Sequence, residues 1–179
     1  MFTILGLDPG SNYIGVSVFH IDSYTLELNQ ITTQTINVSN IESPIDFNHH
    51  IGYKLLDMSN YLTYLLNIYN PVAVAIENPF MFSKRPGAVI PLAKSLGILE
   101  DTILRFNPYI LIKRISPSEV KNTLGAKGNA NKDAVLEALY KHHIASLVDF
   151  NSISEHEVDA CGITLSLYNQ IYQNPYILL

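Results

Sequence analysis

Phe2-Thr3-Ile4-Leu5-Gly6-Leu7-Asp8-Pro9-Gly10-Ser11-Asn12 is the stretch that decides the fold. An apolar run ends on a carboxylate, turns through Pro-Gly, and is followed by a second apolar run, Ile14-Gly15-Val16-Ser17-Val18-Phe19. Apolar runs separated by turn residues read as strand, tight turn, strand. The hairpin therefore covers 2–8 and 13–21 and carries Asp8 at its first corner. Leu26, Leu28, Ile31, Thr33 and Thr35 extend the pattern into a third strand over about 25–37.

The periodicity then changes. Ile51, Leu55, Met58, Leu62, Leu65, Leu66 and Tyr69 recur at helical spacing, and Asn70-Pro71 stops that helix. Val72-Ala73-Val74-Ala75-Ile76 is short and wholly apolar, as a buried central strand is, and ends on Glu77. A loop with Pro79 and Pro86 leads to a helix whose apolar stripe is Val89, Leu92, Ala93, Leu96, Leu99 and Ile103. Tyr109 to Ile112 reads as another strand. Ser116-Pro117-Ser118-Glu119 is a capping box with proline at the first helical position. Gly125 to Asn129 is a polar loop, and Asn131 caps the next helix, through His142. Ser154-Glu155-His156-Glu157 is a second capping box that opens the last helix. The order implies one α/β domain over 1–179, with a mixed central sheet of three antiparallel strands and then parallel strands, flanked by helices.

The composition narrows the function classes. Of the 179 residues, 47% are apolar and 15% charged, so the chain can bury a core and is not disordered. No apolar run reaches the ~18–20 residues of a membrane span, so no membrane association is expected. No basic segment precedes the first apolar stretch, which argues against a secretory signal. The lone Cys161 excludes an internal disulfide and a cysteine-rich zinc site; it suits a reducing cytosol and a role as apolar filler. The formal charge of −5 is unhelpful for binding phosphates. Its patterning is not. The first 50 residues hold no Lys or Arg, whereas Lys84, Arg85, Lys94, Lys113, Arg114, Lys121, Lys127 and Lys132 gather between 84 and 132. That distribution makes a local basic surface.

Three acids stand in unusual settings: Asp8 at a strand end, Glu77 at another, and Asp159 within an apolar helical stretch. Each has a plainer explanation alone, since Asp-Pro-Gly is a common turn and a strand-end glutamate is often solvated. A buried acid is costly unless paired or metal-bound, which lifts Asp159 above the others. His156 lies three residues before Asp159 and shares its helix face. Together these side chains suggest one acidic pocket holding hard divalent cations; two such ions activate a water and stabilise the leaving oxygen of a phosphodiester.

These residues, in this order, resemble the RuvC family of Holliday junction resolvases, within the ribonuclease H-like superfamily. Ile4 to Ser11 with Gly15 is similar to that family's opening strand and turn, and Ala75 to Met81 to its central acidic strand and the loop beyond. Pro117 to Lys121 with Gly128 to Lys132 is similar to its basic segment, and His156 to Ala160 to its last helix. The resemblance implies a ribonuclease H-like fold and an endodeoxyribonuclease that resolves four-way or branched DNA by paired symmetric nicks, leaving 5′-phosphate and 3′-hydroxyl ends. It implies Asp8, Glu77, His156 and Asp159 as the catalytic, metal-binding set, with two Mg²⁺ per site and Mn²⁺ able to substitute. It implies DNA contacts from Lys121 and Lys132, and base stacking at the junction centre from Phe80, whose plainer alternative is a core residue capping the sheet. It also implies a homodimer, with the Val89 to Ile103 stripe on the helix that corresponds to the family's dimer contact; the alternative is that this stripe only faces its own sheet. The location implied is the cytoplasm, at the nucleoid of a cell or within a host for a viral protein.

His156 stands where many members carry an acid, and the overall acidity is unusual for a junction binder. The residues leave open a ribonuclease H-like nuclease acting on flaps, other branched DNA or RNA, and a catalytically silent junction-binding module. An actin-like or sugar-kinase-like ATP-binding protein also opens on strand, acidic turn and strand, but needs a second phosphate-binding hairpin and a longer chain. No residue pattern specifies a branch-migration helicase partner.

Overall fold

The hairpin forms where the sequence places it. In the structure, a computed structural model that describes residues 1–40, 50–78, 86–126 and 132–178, β1 (Phe2–Pro9) pairs antiparallel with β2 (Tyr13–Ile21) in the register Asp8 to Gly15. β3 (Leu28–Asn37) pairs antiparallel with β2. It starts later than the alternation suggests. The Asp22 carboxylate accepts the Tyr24 and Thr25 N–H groups at 2.8 and 2.9 Å, closing a turn, and Leu26 adopts a left-handed backbone with φ 61°. Those local bonds hold 22–26 out of the ladder.

From β3 the chain crosses by α1 (His50–Tyr69) to β4 (Ala73–Glu77), which lies parallel to β1. It then crosses by α2 (Pro86–Phe106) to β5 (Leu111–Ile115), parallel to β4. The sheet order is β3-β2-β1-β4-β5. Strand β5 is displaced from the expected 109–112. Tyr109 is almost fully exposed, and its N–H bonds the Asn107 side chain within a turn. The ladder instead continues through Lys113 and Arg114 to Ile115, opposite Glu77. An edge strand has one face of its backbone unpaired and tolerates charges that apolar patterning overlooks.

Among the described residues, three α-helices follow β5: α3 (Pro117–Thr123), α4 (Lys132–Lys141) and α5 (Glu155–Gln173). The expected capping box on α3 is complete, with Ser116 Oγ accepting the Glu119 N–H and the Glu119 carboxylate accepting the Ser116 N–H at 2.7 Å. Asn131, the expected cap of α4, lies outside the described residues.

Strand alternation divides the core in two. Leu5, Leu7, Val16, Val18, Val74 and Ile76 face α1 and α2, against Met58, Leu62, Leu65, Leu99 and Ile103. Ile4, Phe19, Ala73, Ala75 and Ile115 face α5, against Cys161, Ile163 and Leu167. The C-terminal half of the α2 stripe faces the molecule's own core: Leu96, Leu99 and Ile103 are buried. The alternative of a stripe facing its own core thus holds for Leu96, Leu99 and Ile103, as an amphipathic helix must cover the core it crosses, while Val89 and Leu92 are only partly buried and Ala93 is exposed. No helix among the described residues is long and apolar enough to cross a membrane.

Helix α5 lies unusually close to the hairpin. A Cβ on Gly6 would overlap Thr164 Oγ1 and approach the Ala160 carbonyl oxygen at 3.0 Å. Ser17 Oγ donates to that same carbonyl at 2.9 Å. Gly6→Ala should therefore destabilise the protein by about 1–3 kcal/mol, the usual cost of overpacking, read as a lowered urea midpoint with an unchanged m-value.

Candidate active site

Asp8 and Glu77 stand at the same end of the sheet for a geometric reason. Parallel β1 and β4 point their C-terminal ends the same way, and Leu7 pairs with Ile76. One residue further in that register, Asp8 stands beside Glu77. Both share the face of Ile4, Gly6, Ala73 and Ala75, because alternate residues share a face. That is the face α5 covers. Gly15, opposite Asp8, lies so close to α5 that any Cβ there would overlap the His156 carbonyl. The first turn of α5 therefore begins directly over Asp8.

His156 completes the contact. Its Nδ1 lies 2.9 Å from Asp8 Oδ2. Asp8 as a residue is only 8% exposed, so this bond gives a carboxylate that burial would otherwise penalise a polar partner. The Tyr13 ring stacks on the imidazole, with centroids 5.6 Å apart and planes 17° from parallel. Asp159 follows His156 by three residues on the same helix and is partly buried. The acids thus come from two strand ends and one helix, all rigid elements.

The start of α5 is tied down separately. Ser154 caps it, accepting the Glu157 N–H at 3.2 Å. The Glu157 carboxylate accepts from Thr35 Oγ1 at 2.8 Å and from Ser154 Oγ at 3.1 Å, joining the helix to β3. Desolvation alone would raise the Glu157 pKa. The hydrogen bonds from Thr33, Thr35 and Ser154 outweigh it and hold the pKa below the ordinary glutamate value. One turn on, burial pushes the Cys161 thiol up to about 12, which makes it the inert filler that the sequence suggests.

The donor chemistry fits a hard divalent cation: carboxylate oxygens on fixed elements, with one imidazole nitrogen. Among the described residues, no three His, Cys, Asp or Glu side chains are gathered into a ready cage. The Asp8 carboxylate is engaged by His156 instead. Of the expected DNA contacts, Lys121 follows Val120 on α3, the helix that packs on Gly162 just past Asp159. For Lys132 the description is limited to its backbone, at the start of α4. Phe80 lies outside the described residues. The sequence reading missed Tyr13 and Thr35, which support the site. Neither interrupts a periodic pattern; only their pairing across the folded hairpin and α5 reveals them.

A strand-ordered sheet with acids at the ends of β1 and β4 and on the last helix is the arrangement of a ribonuclease H-like nuclease. The chain belongs to the crossover junction endodeoxyribonuclease RuvC family, whose model matches residues 4–166. Members of this family are Holliday junction resolvases that depend on divalent metal ions. Among curated relatives, the crossover junction endodeoxyribonuclease RuvC of Francisella tularensis subsp. novicida is 27% identical over 167 residues, 93% of this chain and 87% of its own length. That of Prochlorococcus marinus is 26% identical over 138 residues, 77% of this chain and 79% of its own. Among solved structures, RuvC of T. thermophilus in complex with Holliday junction substrate superposes with a TM-score of 0.75 at 18% identity, covering 97% of this chain and 96% of that one. The fowlpox virus Holliday junction resolvase gives 0.61 at 14% identity, covering 94% and 99%. The fold expected from the sequence is therefore the fold observed.

A depressed folded-state pKa stabilises above the unfolded value, and that stability is lost as pH falls through the folded pKa. The stability advantage of wild type over Glu157→Gln should therefore be complete above about pH 5 and shrink steadily in more acid solution. Urea midpoints measured at a series of pH values check this.

Proposed function

We propose that this chain is a divalent-metal-dependent endonuclease that resolves four-way DNA junctions, with Asp8, Glu77, His156 and Asp159 as its catalytic and metal-binding residues. The observation that carries the reading is the seating of His156 on Asp8 at the end of β1, with Glu77 next in register on the same sheet face. A hard-cation site and an in-line phosphodiester cut both call for acids converging from separate rigid elements.

Two Mg²⁺ ions held by these residues would supply Lewis-acid charge stabilisation and an activated water, with Mn²⁺ able to substitute because one donor is nitrogen. The protein's own part is positional. Asp8 stands on a strand anchored on both sides, by β2 and β4, so its carboxylate moves little. His156 is held by a capped and cross-tied helix start. Lys121 and Lys132 would grip backbone phosphates flanking the cut, and Phe80 would stack on a base at the opened junction centre. A homodimer would present two such sites to the two-fold symmetric junction. As Leu96, Leu99 and Ile103 serve the core, such a dimer would use the rest of that helix, where Ile90, Ala93 and Leu104 are exposed.

A labelled mobile four-way junction, incubated with the protein with and without Mg²⁺ or Mn²⁺, tests the reading against a flap, a duplex and an RNA–DNA hybrid. Asp8→Asn is expected to abolish metal-stimulated nicking while leaving junction binding intact; normal cleavage by that variant would remove the site assignment. Lys121→Gln should weaken junction binding and reduce the slope of log affinity against log salt by about 1, the loss of one phosphate contact.

A further inference from the structure

We propose that Tyr13 is a positioning residue that sets the plane of the His156 imidazole, and through it the direction in which His156 presents a nitrogen donor to a divalent ion. The inference rests on the reading of His156 as a metal ligand.

Three constraints act on His156, and the first two leave one freedom. The backbone is fixed by close packing, since Gly15 leaves no space between β2 and the His156 carbonyl. Ser154 and the Glu157–Thr35 tie hold the same turn. The ring is held at one atom, Nδ1, by Asp8 Oδ2 at 2.9 Å. A single hydrogen bond still lets the ring tilt about the line joining those atoms. The Tyr13 face, 17° from parallel at a centroid distance of 5.6 Å, removes that tilt.

Such a restraint matters more for a histidine than for an acid. A carboxylate offers two oxygens with several lone pairs, so rotation leaves a donor available. An imidazole nitrogen offers one lone pair, confined to the ring plane, and a tilted ring aims it away from the ion. Tyr13 also has no evident second task. It belongs to neither apolar cluster, it is 38% exposed, and its hydroxyl reaches Ser39 Oγ at only 3.5 Å. Its well-defined contact is the stack. The aromatic ring, not the hydroxyl, is therefore the functional part.

The test uses the whole metal-free protein without DNA. Mn²⁺ binding is titrated by electron paramagnetic resonance in wild type, Tyr13→Phe, Tyr13→Leu and His156→Ala, and the His156 ring protons are followed by NMR before metal is added. Tyr13→Leu should bind Mn²⁺ about tenfold more weakly, the usual cost of losing a residue that orients a ligand, and its His156 ring protons should move downfield as the ring current is lost. Tyr13→Phe should match wild type in both. Unchanged Mn²⁺ affinity in Tyr13→Leu, or a Tyr13→Phe as weak as Tyr13→Leu, overturns the proposal. Wild-type affinity in His156→Ala removes instead the assignment of His156 as a ligand. Should Tyr13→Leu fail to fold, the ring protons decide: upfield shifts in wild type that persist in Tyr13→Phe support the stack, and unshifted ones overturn it.

Discussion

The seating of α5 against the β1–β2 hairpin is the constraint on which the site depends. Two strand positions, Gly6 and Gly15, carry no side chain where α5 passes, and the helix answers with Ala160 and the small hydroxyl of Thr164, which meet Ser17 of β2. Ser17 also hydrogen-bonds Thr164 directly. A side chain at either glycine would push the helix outward, and His156, at the end where the helix begins, would leave Asp8. The polar pairs serve a second purpose. Ser17 and Thr164 are buried, and their hydroxyls lie within hydrogen-bond distance of the Ala160 carbonyl and of each other, so close approach leaves those buried polar groups satisfied.

The two sheet faces divide the labour. The face toward α1 and α2 is continuous in leucine, valine and isoleucine and does nothing but bury surface. The face toward α5 is apolar through Ile4 and Phe19 but becomes glycine, serine and finally carboxylate toward the end of β1. Because strand side chains alternate, Asp8 and Glu77 occur on that second face without disturbing the first. The site is thus a local change of chemistry at one corner of an ordinary core, with the opposite face supplying the rigidity that holds Asp8 in place.

Much of this was legible in the residues, and the exceptions have physical causes. The hairpin, the crossover helices and the central strand all follow from apolar periodicity bounded by turn residues. Asp8, Glu77 and Asp159 stand out because each sits where an apolar residue or a plain turn would do. Strand β5 was misplaced because Lys113 and Arg114 hide an edge strand from a hydrophobic pattern, while Tyr109-Ile110 imitates one. The α2 stripe is ambiguous in sequence, since a helix facing its own sheet and one facing a partner carry the same spacing. Glu157 reads from sequence as part of a capping box. Its carboxylate in fact reaches across to Thr35, a residue more than a hundred positions away, and no local pattern encodes that.

The acidity of the chain also takes a different meaning once its ion pairs are placed. Arg105 is paired with Asp101 at 2.7 Å, Arg114 with Glu100 at 2.7 Å and Lys141 with Glu137 at 2.6 Å. These cations are already matched within the fold, on α2, β5 and α4. Lys54 is held differently: its Nζ donates to the neutral Asn12 Oδ1 at 2.6 Å, beside the turn that follows Asp8. Net charge is therefore a poor guide to where a polyanion would lie. Attraction over a phosphate strand falls off within a Debye length of about 8–10 Å, so what counts is the local balance around the ends of β1 and β4. Cations bound among Asp8, Glu77 and Asp159 would reverse much of the negative potential at the point where a scissile phosphate must approach. On that argument, metal loading and DNA binding at this corner would favour each other, because the acids that would repel the substrate are the ones that would hold the ions.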